Sequence, residues 1–203
     1  MRSIILSVFL FGLMGIISCS NPNDLAYTQR VMQHRAAVTY KFLDPKTTPL
    51  TQAKLADFKG LPYYEVNKNY LVEATFNPSG NQTIFAMPHT LNRAYEYIEA
   101  GTLSFQLNGK NLQLMSYLRK GEMADSVELF IPFTDLTGGK TTYGGGRYLD
   151  VKATLSAKKV WVDFNLAYNP YCAYNVDFSC PIPPKQNHLP VAIEAGEMYK
   201  SDY

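Results

Sequence analysis

The sequence predicts a mainly β protein, an antiparallel sandwich or partly open barrel preceded by one or two N-terminal helices. Residues 21–60 have the apolar spacing of helices, whereas apolar and polar residues beyond Gly60 alternate with period two. Turn-forming residues interrupt that alternation at short intervals. Tyrosine, which suits half-buried strands, occurs 15 times. Neither an internal repeat nor an interdomain linker is visible in the sequence, so one domain is expected.

Two helices are expected first. The longer one runs from residue 21 to Phe42 and ends before Pro45. Five apolar residues are predicted to lie broadly on one side of it: Leu25, Val31, Met32, Val38 and Phe42. Thr51 is the expected N-cap of a second, short helix, which Gly60 ends.

The rest of the chain is predicted to form short strands. The clearest hairpin is at Asn108-Gly109, because both residues accept the positive φ of a type I′ turn. The predicted strands are residues 70–76, 82–87, 95–107, 112–118, 127–133, 147–155, 160–164 and 189–195.

The first 18 residues have the parts of a secretory signal peptide. A positive start at Arg2 precedes an apolar run of 14 residues, which is shorter than the ~20 that span a bilayer as a permanent helix. The ending Ile16-Ile17-Ser18-Cys19 resembles the bacterial lipobox, in which the cysteine carries lipid and the peptide is cut before it. We therefore expect a lipoprotein signal peptide at 1–18, a lipid anchor with the helical segment at 19–60, and a β domain at 61–203.

This interpretation predicts a chain anchored in the cell envelope by lipid on Cys19, its membrane contact. Ser20, where an inner-membrane signal would have Asp, favours the outer membrane facing the periplasm. An ordinary cleaved signal peptide and an uncleaved N-terminal helix are the alternatives. Without Arg2 the chain has 18 basic and 17 acidic residues, and this near-neutral balance argues against nucleic acid as a partner.

Cys172 and Cys180 are the thiols that remain once Cys19 is assigned to lipid. In an oxidising compartment such a pair predicts a disulfide. Two reduced core thiols remain an alternative, as does thiol catalysis in which His188 activates Cys172. The seven residues between the cysteines fit no common zinc motif, so neither a metal nor a cofactor is expected.

Two stretches of the chain resemble a known family. The first is Phe58-Lys59-Gly60-Leu61-Pro62-Tyr63-Tyr64 followed by Tyr70-Leu71-Val72-Glu73-Ala74. The second, from Ile131 to Glu197, includes Pro132-Phe133-Thr134-Asp135, Gly146-Arg147-Tyr148-Leu149, Ala167-Tyr168-Asn169-Pro170 and Cys180-Pro181-Ile182-Pro183-Pro184. Over roughly residues 30–197 the chain is similar to the bacterial and archaeal domain of unknown function family 1684. This resemblance implies kinship and no activity.

Two glycine clusters, Thr137-Gly138-Gly139-Lys140 and Gly144-Gly145-Gly146-Arg147, each end in a cation. Backbone N–H groups freed by glycine bind anions in some loops, and the cation would add charge there. Tight turns are the favoured interpretation, because neither cluster has the spacing of a phosphate-binding loop.

The polar stretch that follows residue 162 suggests the wall of a pocket. Its side chains would either hydrogen-bond a ligand or satisfy the irregular backbone of the next loop. The candidate ligand-binding residues are Arg147, Tyr148, Asp163, Asn165, Tyr168, Asn169, His188 and Glu197. His34 and His89 belong to no recognisable motif.

Two functions are compatible with these residues. The first is an envelope module that binds a small polar or anionic ligand, or a partner protein. The alternative is a hydrolase in which Asp163, His188 or Glu197 performs acid–base chemistry while Arg147 orients an anionic substrate. Binding is favoured, because the sequence shows no convincing pair of base and nucleophile.

Overall fold

The computed structural model describes residues 22–80, 84–119 and 126–200. The predicted signal peptide and the predicted lipid-bearing Cys19 lie outside these residues. The helices are α1 (Pro22–Leu43) and α2 (Gln52–Asp57). The strands are β1 (Leu71–Pro78), β2 (Ile84–Pro88), β3 (Ala94–Leu107), β4 (Lys110–Arg119), β5 (Ser126–Phe133), β6 (Arg147–Thr154) and β7 (Lys159–Asp163). Among the helices described, none is long and apolar enough to cross a bilayer.

Local signals explain both helices. Pro22 begins α1, a position that suits its fixed φ, and Lys41 lies in the last turn, where it complements the helix dipole. The predicted cap of α2 is confirmed, since Thr51 Oγ1 accepts a 3.4 Å bond from the Lys54 N–H.

The predicted apolar side of α1 is wrong in part. Val31 and Phe42 are buried, but Leu25 and Met32 are each 54% exposed. Val31 and Met32 are neighbours in the chain and lie about 100° apart on the helix, so they cannot face the same way. Helix α1 therefore presents apolar side chains both to the barrel and away from it.

The strands form one antiparallel sheet in the order β6-β5-β4-β3-β1-β7, which curls into a nearly closed barrel. The predicted fold class is thus confirmed. The predicted hairpin is confirmed too, because β3 and β4 join at Asn108 and Gly109, whose φ values are 50° and 74°.

Strand β3 pairs with two different strands along the same edge. Its first residues pair with β2, and residues 101–104 pair with β1. The register shifts between Glu99 and Gly101. A Cβ at Gly101 would lie 2.4 Å from the Asn77 carbonyl oxygen, so only glycine permits this close approach at the bulge.

The two faces of the sheet bury different residues. The inner face carries aliphatic side chains and phenylalanines, among them Leu103, Leu114 and Leu129, which are fully buried. The outer face of β2 to β6 carries a second cluster: Met87, Tyr97, Tyr117, Phe130 and Tyr148. Because the side chains of a strand alternate between its faces, one set of strands supplies both the core and an aromatic outer wall.

The prediction of a strand at residues 189–195 is wrong, because this segment lacks the hydrogen bonds of a strand. Leu189, Val191, Ile193 and Ala195 are buried in alternation, as the pattern predicts. The segment nevertheless forms no strand. Side chains from elsewhere take its backbone bonds: Asp135 Oδ1 accepts from Ile193 N–H, and Arg147 donates to two of its carbonyls.

Candidate functional site

The outer face of the sheet forms one wall of a cavity of about 1030 Å³, here called the aromatic cavity. Its sheet wall consists of Tyr95, Tyr97, Phe130, Tyr148 and Tyr168. Residues 169–171 and 178–181 form a second wall, and α1 forms a third. The volume is at the upper end of the range for sites that bind small molecules.

The aromatic rings of the sheet wall support one another. Tyr97 stacks on Phe130 at 5.8 Å between centroids, and Phe130 meets Tyr148 edge-to-face at 5.0 Å. Tyr148 in turn meets Tyr168 at 5.7 Å. Such contacts lock the rings in place, so the wall is rigid before any ligand arrives.

Two tyrosine hydroxyls in this wall are already engaged. The Tyr148 hydroxyl donates to the Pro181 carbonyl at 2.5 Å, and the Tyr168 hydroxyl donates to Asp150 Oδ2 at 2.7 Å. Burial raises the pKa of both phenols, so both are neutral at physiological pH. They contribute ring surface to the aromatic cavity rather than charge.

His89 attaches the loop wall to the sheet. Its ring lies 4.5 Å from that of Tyr95, and Nδ1 lies 3.3 Å from the Ser179 carbonyl oxygen. Burial lowers the pKa of His89, so the ring is neutral. If Nδ1 carries the proton and donates to this carbonyl, Nε2 is a bare acceptor.

Three polar atoms of the lining have no partner within the described part of the chain: His89 Nε2, Asn169 Oδ1 and Ser179 Oγ. His89 is 7% exposed and Asn169 is 2% exposed. A buried polar atom without a hydrogen bond costs roughly 1–3 kcal/mol, so such atoms call for an explanation. All three atoms are closed to solvent, so a polar molecule in the cavity would supply the missing partners only after a neighbouring side chain moved.

Glu197 is fully buried at the inner end of the aromatic cavity. Its carboxylate accepts from the Asn169 backbone N–H at 3.1 Å and from Asn169 Nδ2 at 3.0 Å. Those bonds fix the amide of Asn169 with Nδ2 toward Glu197. Burial raises the pKa of Glu197 to about 8, because the charged form loses its water.

The pKa of Glu197 predicts how stability depends on pH. Between its ordinary value of 4.5 and about 8, the folded chain binds more protons here than the unfolded chain, so stability falls as pH rises across that window. Glu197→Gln should remove this dependence, which is at most about 1.4 kcal/mol per pH unit. Urea unfolding at several pH values checks it. Exposed Glu194→Gln is the control, and equal slopes for Glu197→Gln and the unmodified chain would contradict the prediction.

The charges around the aromatic cavity nearly balance. Among the described lining residues, Lys41 and Arg119 are cationic, while Glu96, Asp150 and Glu197 are acidic. The Arg119 guanidinium lies over the Phe130 ring, 5.7 Å from its centroid. This balance favours a neutral or zwitterionic ligand over a strongly charged one.

Arg147, the predicted anchor for an anion, lies inside the protein instead. It is 1% exposed and pairs with Asp135 Oδ2 at 2.9 Å. Three backbone carbonyls accept its other bonds: those of Ile193 at 2.8 Å, Ala195 at 2.5 Å and Glu197 at 3.3 Å. Because these acceptors already occupy the guanidinium, Arg147 holds the C-terminal segment in the barrel.

Asp163 and Asn165 attach α1 to the barrel. The Tyr27 hydroxyl donates to Asp163, with both carboxylate oxygens at 2.9 Å, and it accepts from Asn165 Nδ2 at 2.9 Å. Asn165 Nδ2 also donates to the Asn67 carbonyl at 2.9 Å. Asp163 Oδ1 also accepts from the Asn165 backbone N–H at 3.0 Å. The polar stretch after residue 162 was interpreted either as a ligand-binding wall or as side chains that satisfy nearby backbone. The bonds of Asp163 and Asn165 to backbone groups agree with the second interpretation.

His188 also lies away from the aromatic cavity. It lines a separate surface groove with Glu73 and Ser104, and Nδ1 lies 3.0 Å from Thr134 Oγ1. The structure therefore brings four of the eight candidates to one place, namely Tyr148, Tyr168, Asn169 and Glu197. His188, which was considered as an activator of Cys172, does not line the aromatic cavity.

The glycine clusters are tight turns. The Thr137 carbonyl accepts from the N–H groups of Lys140, Thr141 and Thr142. Gly146 N–H donates to the Tyr143 carbonyl. Because these N–H groups are used within the loop, they do not form an anion nest, and the favoured interpretation is confirmed.

Cys172 and Cys180 are free thiols beside the aromatic cavity, so their disulfide stays a prediction. Cys180 Sγ accepts a 3.1 Å bond from the Cys172 N–H. The hydrogen bond from the Cys180 thiol lowers the pKa of Cys172 to about 7, and the same contact raises the pKa of Cys180. Around this pair, the described residues supply no group of three metal-ligating side chains.

Oxidation tests the predicted disulfide. The two sulfurs close a loop of nine residues, and we expect the cross-link to stabilise the fold by about 2–3 kcal/mol and to raise Tm by about 5–10 °C. Oxidised dithiothreitol should also lower the mass by about 2 Da. Cys172→Ser, which cannot form the bond, is the control. An unchanged mass in the parent chain would contradict the prediction.

The sequence patterns missed His89, Ser179 and Arg119. None of them lies in a motif, and His89 and Ser179 are 90 residues apart. The available signal was weak: a Pro88-His89-Thr90 turn after β2 and a polar residue before Cys180. Only the folded chain brings them together.

The comparisons with known proteins give kinship without activity. The family model described as "Protein of unknown function (DUF1684)" matches residues 56–198. A solved structure, an uncharacterized protein from Haloarcula marismortui, is 31% identical with a TM-score of 0.71. That match covers 89% of this chain and 98% of the archaeal one. No curated protein matches the chain.

Proposed function

The chain belongs to the DUF1684 family, whose activity is unknown, and we propose that it is an envelope lipoprotein that binds a small hydroxyl-rich molecule in the aromatic cavity. The observation that carries the proposal is the aromatic cavity of about 1030 Å³ with the half-exposed Tyr95 ring on its wall, beneath which His89, Asn169 and Ser179 hold unpartnered polar atoms. Two of these atoms, His89 Nε2 and Asn169 Oδ1, are acceptors. With Nδ1 of His89 protonated, a ligand that reached these two atoms would pair with them through hydrogen-bond donors.

The aromatic wall narrows the class of ligand further. Tyr97, Phe130 and Tyr148 are buried against one another, so the half-exposed ring of Tyr95 is the main face that a ligand can meet. A ring face carries partial negative charge and attracts the C–H groups of a sugar ring. A carbohydrate combines such a face with hydroxyl donors and needs no net charge, in keeping with the balanced charges of the lining. The anionic ligand expected from Arg147 is not supported, because that guanidinium is occupied inside the barrel.

A ligand screen tests this function on the full chain in detergent micelles. Cell-wall disaccharides and monosaccharides are compared with nucleotides and citrate as anionic probes. A sugar at about 100 times its Kd should stabilise the fold by about 2.7 kcal/mol and raise Tm by about 5–10 °C. A shift with the anionic probes alone, or with none of the probes, would count against the proposal.

Two variants localise the binding. Tyr95→Ala removes a half-exposed ring of the cavity wall, and His89→Ala removes a bare acceptor. Both should abolish the sugar-dependent shift. Tyr40→Ala is the matched control, because Tyr40 is 75% exposed and does not line the aromatic cavity.

The hydrolase hypothesis receives support from one residue only. Glu197 lies at the aromatic cavity with a pKa near neutrality, as a proton donor would need. The two alternative acid–base residues, Asp163 and His188, lie elsewhere, and Arg147, which would orient the substrate, is buried in the barrel. Product analysis of any sugar that shifts Tm would detect such an activity directly.

A further inference from the structure

Helix α1 has a second apolar face that nothing in the described chain covers. Its inner face packs on the barrel through Tyr27, Val31 and Phe42, each at most 5% exposed. The outer face, here called the α1 stripe, consists of Leu25, Met32, Ala36, Tyr40 and Leu43. The exposed fractions of its large side chains are 54% for Leu25 and Met32, 75% for Tyr40 and 48% for Leu43.

The α1 stripe extends along the helix and is interrupted by one polar residue, the exposed Gln29 between Leu25 and Met32. At about 100° per residue its five positions fall within about 80° of one another, and at about 1.5 Å per residue they extend over about 27 Å. Single exposed apolar residues are ordinary on a protein surface, but an aligned row on one helix is not. A helix with one apolar face of this kind can lie flat at the surface of a bilayer.

The charges of α1 suit an anionic surface. Arg30 and Lys41 are exposed on the helix. Its one acidic residue, Asp24, forms a 2.5 Å ion pair with Lys68 outside the helix. Arg30 and Lys41 lie at least about 80° around the helix from every residue of the stripe, so they add net positive charge to α1, which favours acidic lipid headgroups, without flanking the stripe.

The chain before α1 indicates that the α1 stripe contacts a lipid membrane. The apolar run of the signal peptide ends at Ile17, and Cys19 precedes Pro22 by three residues. Three residues span at most about 11 Å when extended. A lipid on Cys19 would therefore hold the first turn of α1 at the membrane surface.

We infer that the α1 stripe lies in the headgroup region of the membrane that anchors the chain. This inference rests on the proposed lipid anchor at Cys19. The lipid supplies one membrane signal and the stripe supplies a second, which together hold the β domain in one orientation instead of leaving it on a free tether.

Site-specific tryptophan fluorescence tests the inference on the lipidated full chain. Trp161, the single tryptophan, is first replaced by phenylalanine. Leu43→Trp reports on the stripe, and Leu136→Trp is the matched control, since both leucines are 48% exposed. The vesicles contain phosphatidylethanolamine and phosphatidylglycerol, with or without brominated acyl chains.

We expect brominated lipid to quench the emission of the Leu43→Trp variant by about half, as for a side chain at the acyl boundary, and to leave that of the Leu136→Trp variant unchanged. Equal quenching in the two variants, on protein that floats with the vesicles, would overturn the inference while leaving the anchor intact. Protein that neither floats nor carries lipid by mass overturns the anchor, and the stripe's membrane contact with it.

A third result would assign the stripe to a second copy of the chain. In that case the tryptophan of the Leu43→Trp variant would be shielded from water without being quenched, in particles of doubled mass, and the inference would be overturned. Sugar-dependent thermal shifts do not depend on any of these outcomes, so the proposed ligand and the membrane contact can fail separately.

Discussion

Replacing Arg147 by methionine is expected to lower the free energy of unfolding by about 3–5 kcal/mol. The substitution leaves Asp135 charged and buried without its cation, and it strips the Ile193 and Ala195 carbonyls of a donor. At about two to four degrees per kcal/mol, Tm should fall by about 6–20 °C. Urea unfolding followed by circular dichroism measures the loss.

The control for Arg147→Met is Arg30→Met, in which an exposed arginine of α1 is replaced by the same residue. That change should cost less than about 0.5 kcal/mol, as for most surface substitutions. If both variants unfolded at the same urea concentration, Arg147 would not be the clamp that the contacts describe.

Asn187→Leu is expected to cost about 3–5 kcal/mol, for a different reason. The Asn187 side chain is fully buried, accepts from the Met115 N–H, and donates to the Met115 and Pro132 carbonyls, each at 2.8 Å. It thereby bridges β4 and β5, whose ladder includes the pair Tyr117–Phe130. Leucine fills the space but leaves those three backbone groups unpaired.

Gln186→Leu is the matched control for this change, because it removes an amide one residue earlier in the same 3₁₀ turn. Gln186 is exposed and donates one 3.2 Å bond to the Tyr117 hydroxyl. Its loss should cost about 1 kcal/mol or less. A comparable loss in the two variants would mean that the turn as a whole, rather than the Asn187 bridge, holds the strands.

Local chemistry made much of the fold predictable. Thr51 caps its helix and Asn108-Gly109 turns its hairpin through bonds and φ values that involve neighbouring residues only. Residues 189–195 show the limit. Their alternating burial followed from the pattern, but their hydrogen bonds depend on Asp135 and Arg147, which lie 58 and 46 positions from Ile193 in the chain.

The sequence predicted only part of the candidate site. Four of the predicted residues lie at the aromatic cavity: Tyr148 and Tyr168 in its wall, and Asn169 and Glu197 as a hydrogen-bonded pair. Arg147 does not lie there, because a run of glycines before an arginine is compatible both with an anion-binding loop and with an arginine that is paired inside the protein. His89 acquires its role from Ser179 and Tyr95, contacts that no local pattern records.

Residues 193–198 have a consequence for how the chain folds. Gly196 and Met198 bond to Tyr64 and Pro62, near the start of the β domain, while Ile193 completes the shell around Arg147. Contacts between such distant positions form slowly, since a long loop must close before they contribute. A chain without residues 193–198 would bury the ion pair of Arg147 and Asp135 without the backbone carbonyls that surround it. The barrel therefore reaches its native packing only when residues 193–198 are in place, and a chain truncated before Ile193 should be degraded as an unfolded protein.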